Sequence, residues 1–216
     1  MGKIAIFVDH PRCSIDGVNS VMNILSPYYQ FKIFTKHELR EDWFDDVDMV
    51  LVPGGIGDSD TFHRLMLPHI SKIRDFVLND GGRYLGICMG AYWAGKHYFD
   101  LLEDRDCVQY LARPNSDMRR PHAKDLEVNW NGIAERMFWY DGCSITGPGD
   151  LDVVASYPNG DAMAGIQGRV GLIGSHPEAT EYWYSSYSWM KKVWDPEREK
   201  RNHGLLLEFV DDLIRR

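Results

Sequence analysis

Strand-length apolar runs alternate with helix-spaced segments through the first half of this chain, and that rhythm constrains its fold most. Lys3 to Val8 reads as a first strand, and Gly17 to Leu25 follows with Val18, Val21, Met22 and Leu25 on one helical face. Phe31 to Phe34 is a second strand and Val47 to Val52 a third, which runs into Pro53-Gly54-Gly55-Ile56-Gly57-Asp58. His69 to Leu78 places Ile70, Ile73, Phe76 and Val77 on one side of a helix, closed by Asn79-Asp80-Gly81-Gly82. Tyr84 to Ile87 is a buried strand, and Gly90 to Gly95 is the small-residue start of another helix. Such βαβ order predicts an α/β fold with a mostly parallel central sheet and helices on both faces.

The second half is less regular. Val108 to Ala112, Leu126 to Trp130, Val153 to Tyr157, Ala162 to Ile166 and Val170 to Ile173 are short strand candidates. Gly147-Pro148-Gly149 and Pro158-Asn159-Gly160 are turns between them. Glu178 to Trp189 is expected to be helical. Asp195 to Arg201 is either a charged connector or the start of a last helix, whose face is Leu206, Phe209, Val210, Leu213 and Ile214. No repeat, low-complexity tract or linker divides the chain. Residues 1–216 are therefore expected to form one domain, with a C-terminal helix over 203–215 docked on it.

The bulk numbers exclude some functions. The chain has 216 residues, is 44% hydrophobic and carries a net charge of -8, so nucleic acid is not expected as a partner. No run approaches a membrane span, and the N-terminal apolar stretch is too short for a signal peptide. The four cysteines, Cys13, Cys88, Cys107 and Cys143, show no CxxC spacing, which argues against a zinc site and a disulfide framework. A reducing, cytoplasmic setting follows as the expectation. His63 and His69 match no common metal-ligand spacing; no metal or other cofactor is expected. Trp183 to Trp194 is aromatic enough to form an interface, so a homo-oligomer is an open expectation.

Two segments carry chemistry. Gly86-Ile87-Cys88-Met89-Gly90-Ala91 puts a thiol at a strand-to-helix turn, between glycines that permit close backbone approach. The start of a helix there favours negative charge. Ser175-His176-Pro177-Glu178 follows another strand, and strand C-terminal ends in an open parallel sheet border the ligand crevice. Cys88, His176 and Glu178 together supply the thiol, imidazole and carboxylate of cysteine-dependent acyl transfer. Gly55 and Met89 would offer backbone N–H groups to an oxyanion, and Gly54, Gly57 and Tyr92 are candidate substrate contacts. Blander readings remain open at each point. Cys88 also fits a small core residue, His176 and Glu178 a helix-start cap, and the glycine segment a plain turn. A phosphate loop would need a following Gly-Lys-Ser/Thr, which is missing.

Val52-Pro53-Gly54-Gly55, Gly81 to Tyr92 and Gly174-Ser175-His176-Pro177-Glu178 resemble the class I glutamine amidotransferase-like superfamily. Within it the likeness is greatest to the domain at the N-terminus of eukaryotic biotin-protein ligases, which also occurs as a stand-alone protein. The resemblance spans roughly residues 3 to 180. It implies a flavodoxin-like three-layer α/β fold. It implies Cys88 as nucleophile, His176 as base and acid, Glu178 as its orienter, and Gly55 with Met89 as oxyanion donors. It also implies a small amide or acyl substrate and, if that is glutamine, a separate synthetase to receive the ammonia. True glutaminases of the class usually carry Gln four residues after the nucleophile, where this chain has Tyr92. No biotin-ligase catalytic domain is present, so biotin transfer is not implied. Two further readings stay open: a small-amide or peptide hydrolase of the PfpI type, with Asp16 as a nearby carboxylate, and a non-catalytic binding or regulatory module.

Overall fold

The computed structural model describes residues 2–39, 42–56 and 58–216. The strands are β1 (Lys3–Phe7), β2 (Gln30–Phe34), β3 (Met49–Val52), β4 (Arg83–Ile87), β5 (Asp106–Gln109), β6 (Lys124–Trp130), β7 (Ile133–Trp139), β8 (Cys143–Thr146), β9 (Asp152–Ser156), β10 (Ala162–Gln167) and β11 (Val170–Ile173). The helices are α1 (Ile15–Leu25), α2 (Ser59–Met66), α3 (Ile70–Leu78), α4 (Met89–Trp93), α5 (Glu181–Ser185) and α6 (Pro196–Arg215).

The sheet runs β2-β1-β3-β4-β11-β10-β9-β6-β7, with β8 joining β10 to β5. The pairs β2–β1, β1–β3, β3–β4 and β4–β11 are parallel and form the flavodoxin-like centre. Antiparallel strands from the second half of the chain extend it beyond β11. The centre is covered on both faces, which is why β3 is apolar at every position. Side chains alternate: Ile4, Ile6, Met49, Leu51, Leu85 and Ile87 meet α1 and α6, whereas Ala5, Phe7, Val50, Val52 and Tyr84 meet α2, α3 and α4. These are the three layers that the strand–helix alternation predicts.

Several elements differ from the sequence reading. The helix expected over Glu178 to Trp189 is only α5, followed by turns. The Ser185 and Ser186 hydroxyls both donate to the Tyr182 carbonyl, competing with helical pairing. Beyond them the Trp189 indole N–H donates to the Ala123 carbonyl at 2.9 Å, holding the chain down outside the helix. The last helix starts at Pro196, because Asp195 caps it by accepting from the Glu197 and Arg198 N–H groups. Strand β5 ends at Gln109, and Tyr110–Ala112 is a 3-10 turn rather than strand. Strands β7 and β8 and helix α2 were not anticipated.

Helix α4 sits directly on the sheet. A Cβ on Gly90 would lie 2.0 Å from the Val52 carbonyl oxygen, and the Tyr84 hydroxyl donates to the Gly90 carbonyl at 2.7 Å. Neither backbone can yield without opening the β3–β4–α4 contact. Gly90→Ala is expected to destabilise the fold by about 3 kcal/mol, read as a fall in the denaturant midpoint. An unchanged midpoint would contradict the contact.

Candidate functional site

Cys88 lies between β4 and α4 with φ 49 and ψ -101, a positive-φ conformation at a non-glycine residue. Its N–H donates to the Ile173 carbonyl at 2.8 Å and its carbonyl accepts from the Tyr92 N–H at 3.1 Å. The turn is thus tied to β11 on one side and to α4 on the other. This conformation lifts the thiol above the strand ends. The side chain is 6% exposed, and its Sγ approaches the Tyr140 carbonyl at 3.6 Å.

Strand β11 delivers His176 to the same place. The His176 N–H donates to the Phe138 carbonyl at 2.9 Å, in a bridge between Phe138 and His176. The imidazole Nδ1 lies 2.9 Å from Glu178 Oε1, and the ring lines one cavity with Cys88. The ring is also packed by Trp183, with centroids 4.9 Å apart, and by Phe138 at 6.0 Å. Glu178 is fully buried. Cys88, His176 and Glu178 therefore meet, as the sequence reading expected.

Burial disfavours a charged imidazole, but the Glu178 carboxylate and Cys88 more than offset it, and the His176 pKa is raised to about 10. A raised histidine pKa contributes stability that is full below the unfolded value of 6.5 and is lost as pH rises toward about 10. In Glu178→Gln, burial remains and its opponent is removed, so the imidazole loses its charge. The stability gap between wild type and Glu178→Gln should be about 3 kcal/mol near the acid end of that window. It should narrow as pH rises through it. Denaturant titrations at several pH values would show this, and a gap that widens with pH would refute the charged pair.

The other expected positions are mostly close. Gly54 abuts both groups: a Cβ there would lie 2.6 Å from His176 Cε1 and 3.7 Å from Cys88 Cβ. Gly55 bridges to Cys13, with Ser14 N–H donating to the Gly54 carbonyl and Ile56 N–H to the Arg12 carbonyl. That pattern leaves the Gly55 N–H outside the bridge. Met89 is the first residue of α4, so its N–H has no partner within the helix. Gly57 lies outside the described residues. Tyr92 donates from its hydroxyl to the Asp141 carbonyl at 3.0 Å, and burial drives its pKa upward, so it stands as a neutral wall.

Two cavities meet at Cys88. One, of about 280 Å³, includes His176, Asp16, Phe138, Tyr140, Trp183 and Tyr187 in its lining. The other, of about 510 Å³, includes Met89, Tyr92, Asp58, Gln109, Tyr140 and Asp141. Gly55 and Ile56 line both. A larger cavity of about 880 Å³ lies beside Val77 and Val170, at the opposite end of the strands, and contains no nucleophile. Tyr140, Asp141 and Phe138 were missed because β7 was not read as a strand. Burial raises the Asp141 pKa, with the Gln109 amide opposing it.

The remaining thiols differ from Cys88 in setting. All four cysteines are free. Burial pushes Cys13 up to about 12, and a hydrogen bond with Cys107, with burial, raises Cys143 well above the ordinary thiol value. Among the described residues no His, Cys, Asp and Glu cluster suits a metal ion, and no helix is long and apolar enough to cross a membrane.

Comparison with known proteins identifies the fold. Residues 11–106 match the family model described as "Biotin-protein ligase, N terminal". A glutamine amidotransferase from Thermotoga maritima is 13% identical, with 99% of this chain and 98% of that chain covered and a TM-score of 0.68. A second structure described as a glutamine amidotransferase is 15% identical over 88% of this chain and 98% of that one, with a TM-score of 0.63. A protein from Thermoplasma acidophilum, described as a putative GMP synthase subunit, is 16% identical over 98% of this chain and 96% of that one, with a TM-score of 0.59. No curated protein matches in sequence. The chain has the class I glutamine amidotransferase-like fold. Within that class, residues 11–106 are similar to the N-terminal domain of biotin-protein ligases.

Proposed function

We propose that this protein is a cysteine-dependent enzyme that cleaves or transfers an acyl group through a Cys88 thioester. The observation that carries the reading is the Cys88 turn itself. A thiol on a strained turn there shares one cavity with a buried imidazole whose charge Glu178 holds, and it lines a second cavity as well. Cys88 Sγ attacks the carbonyl carbon, and the oxyanion meets the Gly55 and Met89 N–H groups. His176 gives its proton to the leaving nitrogen and then takes one from the water or amine that attacks the thioester. Glu178 orients the ring. Gly54 and Tyr92 shape the substrate site.

If glutamine is the donor, its ammonia passes to a separate synthetase. The name of the GMP synthase neighbour supports that partner. The PfpI-type hydrolase reading is favoured by one observation, that Asp16 lines the His176 cavity. A single domain over 1–216 working in a reducing cytoplasm, without a cofactor, completes the proposal.

The test is ammonia release from glutamine, asparagine and a small-amide panel, with iodoacetamide labelling of all four cysteines in parallel. Cys88 should be labelled far faster than Cys13, Cys107 and Cys143. Release that vanishes in Cys88→Ala establishes acyl chemistry. No release together with no selective labelling would leave a non-catalytic module.

A further inference from the structure

The two cavities divide the substrate, and this inference rests on the thioester reading. In amide cleavage the leaving nitrogen takes its proton from the imidazolium, so that nitrogen and its substituent face His176. His176 lines only the 280 Å³ cavity, whereas Met89, an oxyanion donor in the proposed scheme, lines only the 510 Å³ one. The acyl portion therefore lies against Met89 and Tyr92, and the leaving amine against Trp183 and Tyr187. Ammonia occupies about the space of one water, roughly 30 Å³. The His176 cavity is about 280 Å³, far larger than ammonia requires.

The walls describe the occupant. Phe138, Tyr140, Trp183 and Tyr187 bring aromatic rings from β7, the turn after it, α5 and the segment beyond. Asp16, in the first turn of α1, is exposed and forms no ion pair among the described residues. No Lys or Arg lines either cavity among the described residues. Aromatic faces with an unpaired carboxylate suit an organic cation and disfavour an anion.

We propose that the substrate is an N-substituted amide whose leaving amine carries an aryl-alkyl group, seated between the aromatic walls with its nitrogen toward His176 and Asp16. The Cys88 S–C bond forms and the amide C–N bond breaks, with the His176 proton going to the departing nitrogen. Water then forms the C–O bond as C–S breaks, and its proton goes to His176. The net reaction is amide plus water to carboxylic acid plus amine.

The product amine supplies a test that needs no knowledge of the acyl group. Cys88 alkylation by iodoacetamide is followed with added phenethylammonium, phenylacetate or ammonium chloride, and binding of each is measured by calorimetry. Phenethylammonium should slow alkylation at saturation and bind about five-fold more tightly than phenylacetate. Ammonium should not protect. Asp16→Asn should equalise the two aryl ligands. Trp183→Leu should weaken both by about ten-fold, each variant being referred to its own unprotected rate. Equal protection by ammonium and phenethylammonium, or protection unchanged in Trp183→Leu, would overturn the proposal. If Cys88 proves unreactive, the thioester reading fails separately, and calorimetry alone then decides the amine pocket: heat of phenethylammonium binding that is lost in Trp183→Leu supports it, and no heat overturns it.

Discussion

Cys88→Ala is expected to lower turnover of any amide substrate by at least about 10⁴-fold, and Cys88→Gly to do the same while leaving a more stable protein than the alanine variant. The second part follows from the backbone. At φ 49 and ψ -101 an L side chain is strained, at a cost of about 1–3 kcal/mol. Alanine retains the Cβ and the strain; glycine releases it. Glycine ordinarily costs about 0.5–1 kcal/mol relative to alanine in a regular element, so the reversed order would be diagnostic. The turn is held at both ends, by the Ile173 carbonyl and the Tyr92 N–H, so it cannot relax in the alanine variant. Mass spectrometry of trapped thioester, with denaturant midpoints for both variants, measures the two claims. Turnover retained in Cys88→Ala would move the chemistry elsewhere. A glycine variant less stable than alanine would show that the turn stores no strain.

The parts of the fold legible in the sequence were those with strong local periodicity. Strands β1, β3, β4 and β11 are apolar runs buried on both faces, and α1 and α3 show one-sided spacing, so both kinds of element could be placed from residue pattern alone. The thiol, imidazole and carboxylate were legible because strand ends in a parallel sheet converge, and Cys88 and His176 each follow such an end. The β6–β7 hairpin was missed although its signal was present. Asn131-Gly132 connects the two strands, both residues have positive φ, and Asn-Gly is the turn that suits a two-residue hairpin. Its flanks misled because Ile133 and Ala134 are exposed, and Glu135 and Arg136 interrupt the apolar pattern. That omission hid Phe138, Tyr140 and Asp141, which form much of the cavity wall. The helix expected over Glu178 to Trp189 shortens to α5, because the aromatic residues of that segment answer to Phe138 and to one another. Tertiary partners overrode local spacing there.

The extended antiparallel half also explains why the site has two sides. Had the sheet ended at β11, nothing would stand across from His176. The bridge from Phe138 to His176 fixes β7 against the segment after β11, and α5 then closes over both. The parallel centre thus supplies the thiol and the imidazole, while the second half supplies the aromatic walls beside them.

Gly54→Ala is expected to remove most activity without replacing any reacting group. Its Cβ would stand 2.6 Å from His176 Cε1, closer than such contacts allow. The ring has little freedom to retreat: Nδ1 is held by Glu178, and Trp183 and Phe138 pack against the ring. The loop must therefore move, against the bonds from Ser14 N–H to the Gly54 carbonyl and from Ile56 N–H to the Arg12 carbonyl. Moving it carries the Gly55 N–H away from the developing oxyanion. A misplacement near 1 Å costs about 10²-fold, and losing one oxyanion donor about 10²–10³-fold, so kcat should fall by about 10²–10³. The fold should lose only about 1–3 kcal/mol and remain assembled at room temperature. The split between two readouts makes the result specific. Alkylation of Cys88 by iodoacetamide needs no oxyanion donor and should change far less than kcat on an amide. If both fall together, the imidazole rather than the loop has moved. If neither falls in a folded variant, Gly54 does not set the spacing between the thiol, the imidazole and the oxyanion site.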